Sequence, residues 1–154
     1  MGDSAGGALA IVMGQQLRDS HRPAAQRIVA LCPWLDATLD EDAVADLESS
    51  DPMLAESGLR AAARWWSGSR PPEDPLVSPL SGDLSGLPPL DVFIGEYDLL
   101  RPAVDDLARE AGTSSLELRV HEVAAMFHVW MTRLIPEAVR TRKQLATLVR
   151  SGDL

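Results

Sequence analysis

A single cysteine, Cys32, stands in 154 residues. That excludes a disulfide framework and every zinc spacing built on paired cysteines. Lysine is equally scarce: Lys143 is the only one among 14 basic residues, which we read as a compositional bias of the source genome. Acidic residues number 23, so the net charge is −9. An acidic chain is set against nucleic acid and anionic membrane surfaces. Long hydrophobic runs are missing too; the longest, about Ala8 to Met13, is far too short to cross a bilayer. No signal peptide is expected, because Met1 is followed at once by Gly2-Asp3-Ser4 instead of a basic and then apolar stretch. These absences predict a cytoplasmic protein in a reducing setting. Internal repeats and low-complexity tracts are also lacking. What remains is ordinary globular material, 45% hydrophobic and 24% charged, in a length that suits one domain.

The elements alternate. Ala5 to Arg18 reads as a helix with Leu9, Val12, Met13 and Leu17 on one face. Gly6 and Gly7 in its first turn are poor helix formers and suggest that another backbone packs closely there. Arg27 to Leu31 is a short apolar run closed by Cys32-Pro33, the pattern of a buried parallel strand. Residues 34–89 carry no strong strand signal. Asp42 to Leu47 and Ala55 to Trp66 read as short helices, and repeated prolines break the rest. A long irregular excursion of this kind usually belongs to a lid or binding region. Leu90 to Gly95 is a second buried strand, Arg101 to Ala111 a helix opened by Pro102, and Leu116 to Val120 an alternating strand near a sheet edge. Pro136 to Leu148 is a last amphipathic helix with Ala138, Leu145 and Leu148 apolar. Strands alternating with helices imply a parallel sheet covered on both faces.

Gly2-Asp3-Ser4-Ala5-Gly6 is a Gly-x-Ser-x-Gly sequence at a helix start. A serine on a tight strand-to-helix turn needs small neighbours, presents its hydroxyl, and points the following N–H, here Ala5, toward a developing oxyanion. Alone, the pentapeptide describes a small-residue turn equally well. A serine hydroxyl also needs a base, usually histidine, and that histidine needs a carboxylate. Of the three histidines, His21 sits in a polar loop and His121 ends a strand. His128 lies in a loop before the last helix, where it reads either as a base or as a histidine at an aromatic core edge. Asp98 lies three residues past the strand ending at Gly95, where α/β sites are built; it also suits a turn or helix cap. The chain order Ser, Asp, His is that of α/β-hydrolases.

Several segments together resemble the hormone-sensitive-lipase-type esterases. They are Gly2-Asp3-Ser4-Ala5-Gly6-Gly7, Leu31-Cys32-Pro33-Trp34-Leu35-Asp36, Asp51-Pro52-Met53-Leu54, Ser78-Pro79-Leu80, Leu87-Pro88-Pro89-Leu90, Gly95-Glu96-Tyr97-Asp98-Leu99-Leu100 and Met126-Phe127-His128-Val129-Trp130. The resemblance covers nearly the whole chain. It implies a three-layer α/β-hydrolase fold, partial, holding roughly the last three strands of its sheet, with residues 1–154 as one partial domain and 34–89 contributing to a substrate pocket. It implies Ser4 as nucleophile, Asp98 as acid, His128 as base and the Ala5 N–H as an oxyanion donor. His128 is expected to bridge Ser4 and Asp98. The substrate is a small acyl ester, and no metal or organic cofactor is needed. Trp34, Met53 and Leu54 are expected to line the substrate pocket, with Trp65 and Trp66 nearby; core packing is the alternative for these aromatics.

Two departures from the family pattern stand out. Leu100-Arg101-Pro102 lacks the acidic residue that usually follows the arginine. The His-Gly-Gly-Gly oxyanion segment and the strand that feeds the serine turn, both expected upstream, have no counterpart before Met1. A truncated, catalytically impaired fragment and a non-catalytic ligand-binding module of the same fold are therefore the alternatives to an active esterase. An open sheet edge makes a homodimer the expected form of self-association.

Overall fold

The computed structural model describes residues 1–150. Four parallel strands form one sheet in the order of the chain: β1 (Gly2–Asp3), β2 (Ile28–Leu31), β3 (Leu90–Gly95) and β4 (Leu118–Val123). Helix α1 (Ala5–Asp19) joins β1 to β2, and α4 (Arg101–Ala111) joins β3 to β4. Between β2 and β3 run α2 (Glu41–Ala45) and α3 (Glu56–Ser67); α5 (Pro136–Arg150) follows β4. Consecutive right-handed crossovers in one direction place α1 and α4 on the same face. Gly14 of α1 lies against Ile28 on that face. Gln144 of α5 reaches His121 on the opposite face. The result is three layers.

β3 is buried at all six positions, as a central strand covered on both faces should be. β4 holds only partly buried and exposed residues, as its place at the edge requires. The main core gathers Ile28, Ala30, Leu90, Val92, Phe93 and Ile94 from the strands with Val104, Leu107, Trp130 and Leu145 from the helices and loops around them.

Three expectations change. The strand feeding the serine turn is represented: Gly2 and Asp3 pair in register with Ala30 and Leu31, so the sheet has four strands where three were expected. The buried face of α1 is not the Leu9–Met13 stripe. Gly7, Ala8, Ile11 and Gly14 turn inward, while Leu9 and Met13 are 46% and 59% exposed. The reason is steric: a Cβ on Gly7 would lie 2.9 Å from Pro33, and one on Gly14 2.7 Å from Ile28, so only small residues allow this approach. Trp65, at 83% exposure, belongs to neither core nor pocket, and Trp66 is 52% exposed and only borders a small cavity.

The excursion of residues 34–89 is irregular yet tied down by side chains. Ser78, fully buried, accepts the Ala37 N–H at 2.8 Å and donates to the Pro72 carbonyl at 2.6 Å. Arg60 donates to the Thr38 and Leu39 carbonyls, and Gln15 of α1 donates to the Pro79 carbonyl at 3.0 Å. These bonds replace the ladder that a strand would supply.

Candidate active site

Ser4 stands at the carboxyl end of β1, where the chain turns into α1. Its φ of 51° is positive, a region that disfavours side chains. Backbone bonds hold it there: the Ser4 N–H donates to the Leu31 carbonyl at 2.9 Å, and the Ser4 carbonyl accepts from Gly7, Ala8 and Trp34. A Cβ on Gly2 would fall 2.1 Å from the Gly6 carbonyl oxygen, so position 2 admits only glycine. Gly6 itself is less constrained, since its Cβ would meet nothing nearer than 3.6 Å. Ala5 is the first residue of α1; its N–H has no carbonyl one turn back and points from the positive end of the helix.

Asp98 and His128 come from the loops that follow β3 and β4. The loop after β3 and the loop after β4 are laced together. Tyr97 N–H donates to the Met126 carbonyl at 2.8 Å, Glu96 N–H to the Val123 carbonyl at 3.1 Å, and Ala125 N–H to the Glu96 carboxylate at 2.7 Å. Gly95 lets them close: a Cβ there would lie 2.3 Å from the Met126 carbonyl oxygen. Asp98 is fully buried, and one carboxylate oxygen accepts the Leu100 N–H at 2.9 Å. His128 Nδ1 lies 3.2 and 3.1 Å from the two Asp98 oxygens, and His128 Nε2 lies 3.0 Å from Ser4 Oγ. Three residues up to 124 positions apart thus form one hydrogen-bonded chain, half-buried at the serine end and fully buried at the carboxylate end.

Residues 1–132 match the alpha/beta hydrolase fold family. The chain belongs to that family. An acetyl-hydrolase of Streptomyces hygroscopicus is 32% identical over 98% of this chain and 51% of its own length. A carboxylesterase/phospholipase of Mycobacterium tuberculosis is 34% identical over 98% of this chain and 42% of its own. Among solved structures, an esterase from the bacterial hormone-sensitive lipase family superposes with a TM-score of 0.92 at 29% identity, covering 97% of this chain and 51% of that one. This α/β-hydrolase chain therefore spans about half the length of the curated relatives it matches.

The other residues singled out in the sequence fall in different places. Trp34 borders a small apolar cavity with Ala5, Ala8, Leu9 and Trp66 beside the serine turn. Leu54 packs instead against Leu39, Val44, Leu59, Leu99 and Leu100 on the acid-loop side, and the Met53 sulfur lies 3.0 Å from the Arg133 guanidinium. His21 is exposed in its loop. His121 stacks on Phe93 at 4.2 Å and bonds Asp91 at 2.7 Å, away from Ser4. Asp91 is a second buried carboxylate. Burial favours its neutral form, but bonds from His121 and Arg27 prevail and hold it below the usual carboxylate range.

Sequence reasoning missed Cys32. Its sulfur accepts the Val129 N–H at 3.2 Å, next to His128. Burial first, and then the Asp98 charge and hydrogen bond, push its thiol far above the ordinary range. Cys32, Asp98 and His128 are close enough to resemble a metal site. The donor set does not fit one: the thiol is held protonated and His128 Nδ1 is committed to Asp98, whereas a metal needs a thiolate and a free imidazole nitrogen. Only the placement of Cys32 directly after a buried strand hinted at such a position.

Proposed function

We propose that this chain carries the nucleophile, base and acid of a serine carboxylic ester hydrolase. The observation that carries the reading is the hydrogen-bonded chain from Ser4 Oγ through His128 to Asp98 on a strained strand-to-helix turn. The named activities of its relatives, acetyl-hydrolase, carboxylesterase and esterase, support it. In this mechanism His128 Nε2 takes the Ser4 proton as Oγ attacks the acyl carbon. The oxyanion forms in front of the Ala5 N–H and the positive end of α1. His128 returns the proton to the leaving alcohol, and water attacks the acyl-serine by the same base. Asp98 fixes the imidazole so that Nε2 faces Ser4 and stabilises the imidazolium that forms. The chemistry uses side chains and backbone alone, without a cofactor.

The substrate in this reading is a small acyl ester, with Trp34 beside the serine and Met53 and Leu54 farther along the acid-loop side. A reducing, cytoplasmic setting suits the free, buried Cys32 thiol. No helix among the described residues is long and apolar enough to cross a membrane. The net charge of −9 sets the protein against nucleic acid, and the open edge of β4 is where a second copy would add to the sheet.

The test is covalent. A fluorophosphonate probe should label Ser4, as read by peptide mass spectrometry, and a short-chain 4-nitrophenyl ester should be hydrolysed. Ser4→Ala should abolish both. Labelling at another residue, or equal turnover in Ser4→Ala, would sink the assignment.

A further inference from the structure

Asp51 belongs to the middle excursion, 47 residues before Asp98 in the chain, and the mechanism above does not use it. It is buried. One carboxylate oxygen accepts the Met53 N–H at 2.9 Å and the Leu54 N–H at 3.3 Å. The other crosses to the acid loop and accepts the Leu99 N–H at 3.0 Å. Two consecutive amides after Asp98 are thus divided between two carboxylates: Leu99 bonds Asp51, and Leu100 bonds Asp98. The apolar side of the same junction is closed by Leu54 packing on Leu99 and Leu100.

We infer that Asp51 is a positioning residue that sets the orientation of the Asp98 carboxylate, and through it His128, from the pocket-side excursion. The inference rests on the esterase reading for its kinetic consequence. Its physical basis is separate. A buried carboxylate with three amide donors is a fixed anchor, because the fully buried Leu99 N–H is cut off from water and the Met53 and Leu54 N–H groups hold the carboxylate from its other side. Leu99 is fully buried, so its N–H depends on Asp51. Freeing that amide lets the Leu99–Leu100 turn rotate, and the Asp98 oxygen bonded to the Leu100 N–H moves with it. The segment carrying Met53 and Leu54 is held by the same carboxylate, so a shift of the pocket-side chain is transmitted to the acid without passing through Ser4.

The substitution that isolates the link is Asp51→Asn. Its amide oxygen can keep the Met53 and Leu54 turn, while its NH2 group faces the Leu99 N–H, donor against donor. The control is Asp40→Ala, which removes the side chain capping α2 in the same excursion, whose hydrogen bonds go to the Asp42 and Ala43 N–H groups and not to the acid loop. Two readouts are taken on the full chain: kcat and KM for a short-chain 4-nitrophenyl ester, and the proton resonance of His128 Nδ1–H, which reports its bond to Asp98 directly. Asp51→Asn should lower kcat roughly 10- to 100-fold, as positioning errors of about 1 Å do, with KM changed by less than about threefold. The Nδ1–H resonance should shift or broaden away. Asp40→Ala should leave the resonance in place. An Asp51→Asn protein with parental kcat and an unmoved resonance overturns the inference, and so does an Asp40→Ala protein that loses both to the same degree. If Asp51→Asn does not fold, a backbone ester that deletes only the Leu99 N–H carries the same expectation and the same refutation. If the parent chain hydrolyses no ester, the esterase reading fails by itself, and the resonance still decides the role of Asp51.

Discussion

Gly95→Ala is the most incisive perturbation of the candidate site, because it touches none of the reacting groups. The new Cβ would lie 2.3 Å from the Met126 carbonyl oxygen, whereas ordinary contact begins at 3.4 Å. About 1 Å of relative movement must therefore open between the end of β3 and the loop after β4. The clash falls two residues before His128, and that loop is pinned to β3 through Tyr97 and Glu96, so it cannot slide freely. Transmitted to the imidazole, the movement lengthens the 3.0 Å contact between His128 Nε2 and Ser4 Oγ to roughly 4 Å, beyond hydrogen-bond range. A displacement of that size costs about 100-fold in rate, or about 2.7 kcal/mol of transition-state stabilisation. Overpacking of this kind costs about 1–3 kcal/mol of folding stability. Ester turnover and a thermal melt measure the two effects. Gly58→Ala is the control, since a Cβ there meets nothing within 4 Å. A Gly95→Ala protein that keeps kcat within about threefold of the parent would refute the reasoning, because the loop would then have absorbed the clash without moving His128.

Further outcomes follow from other contacts. Gly6→Ala should keep most activity, whereas Gly2→Ala should lose it with the turn, since their added Cβ atoms lie 3.6 and 2.1 Å from their nearest neighbours; side-by-side labelling of Ser4 by the fluorophosphonate reads the difference. Asp91 is held below its unfolded range, so the folded state binds fewer protons than the unfolded state on acidification. Its stabilisation is complete above the unfolded carboxyl value of about 3.9 and is lost as pH falls through the folded value. Asp91→Asn should therefore flatten the acid limb of the stability curve measured by denaturant titration. Trp130→Ala should cost about 3–5 kcal/mol, because the ring is fully buried and its N–H bonds Thr141 of α5 at 3.2 Å; chemical denaturation measures it.

The buried strands were legible because they read as continuous apolar runs ended by Gly or Pro, and the structure places β3 over the residues expected. Asp98 and His128 stood out because each follows a strand in a parallel sheet, and Ser4 because it opens a helix within Gly-x-Ser-x-Gly. The face of α1 was misread for a physical reason: a helix pressed against a sheet by glycines buries small residues, and a search for large apolar side chains finds the opposite face. The Gly-x-Ser-x-Gly pattern likewise weights its two glycines equally, whereas the packing constrains Gly2 far more than Gly6. β4 begins two residues later than its alternation suggested and continues through His121 and Glu122, because pairing with β3 carries it on to Gly95. The roles of Cys32 and Asp51 were not legible, since both depend on contacts across 97 and 48 residues that no local pattern encodes.

β2 contributes no side chain to the hydrogen-bonded chain, yet it acts as the ruler of the site. It separates β1, which leads into Ser4, from β3, which leads to Asp98. Two inter-strand steps amount to about 9.6 Å, and the imidazole with hydrogen bonds of 3.0 Å at one end and 3.1 Å at the other closes that gap only together with the Ser4 and Asp98 side chains that reach toward it. With an extra strand between them the gap would grow to about 14 Å, and no single side chain would reach both. The order of strands is thus a length standard for the chemistry, set by a strand whose own side chains serve only the core.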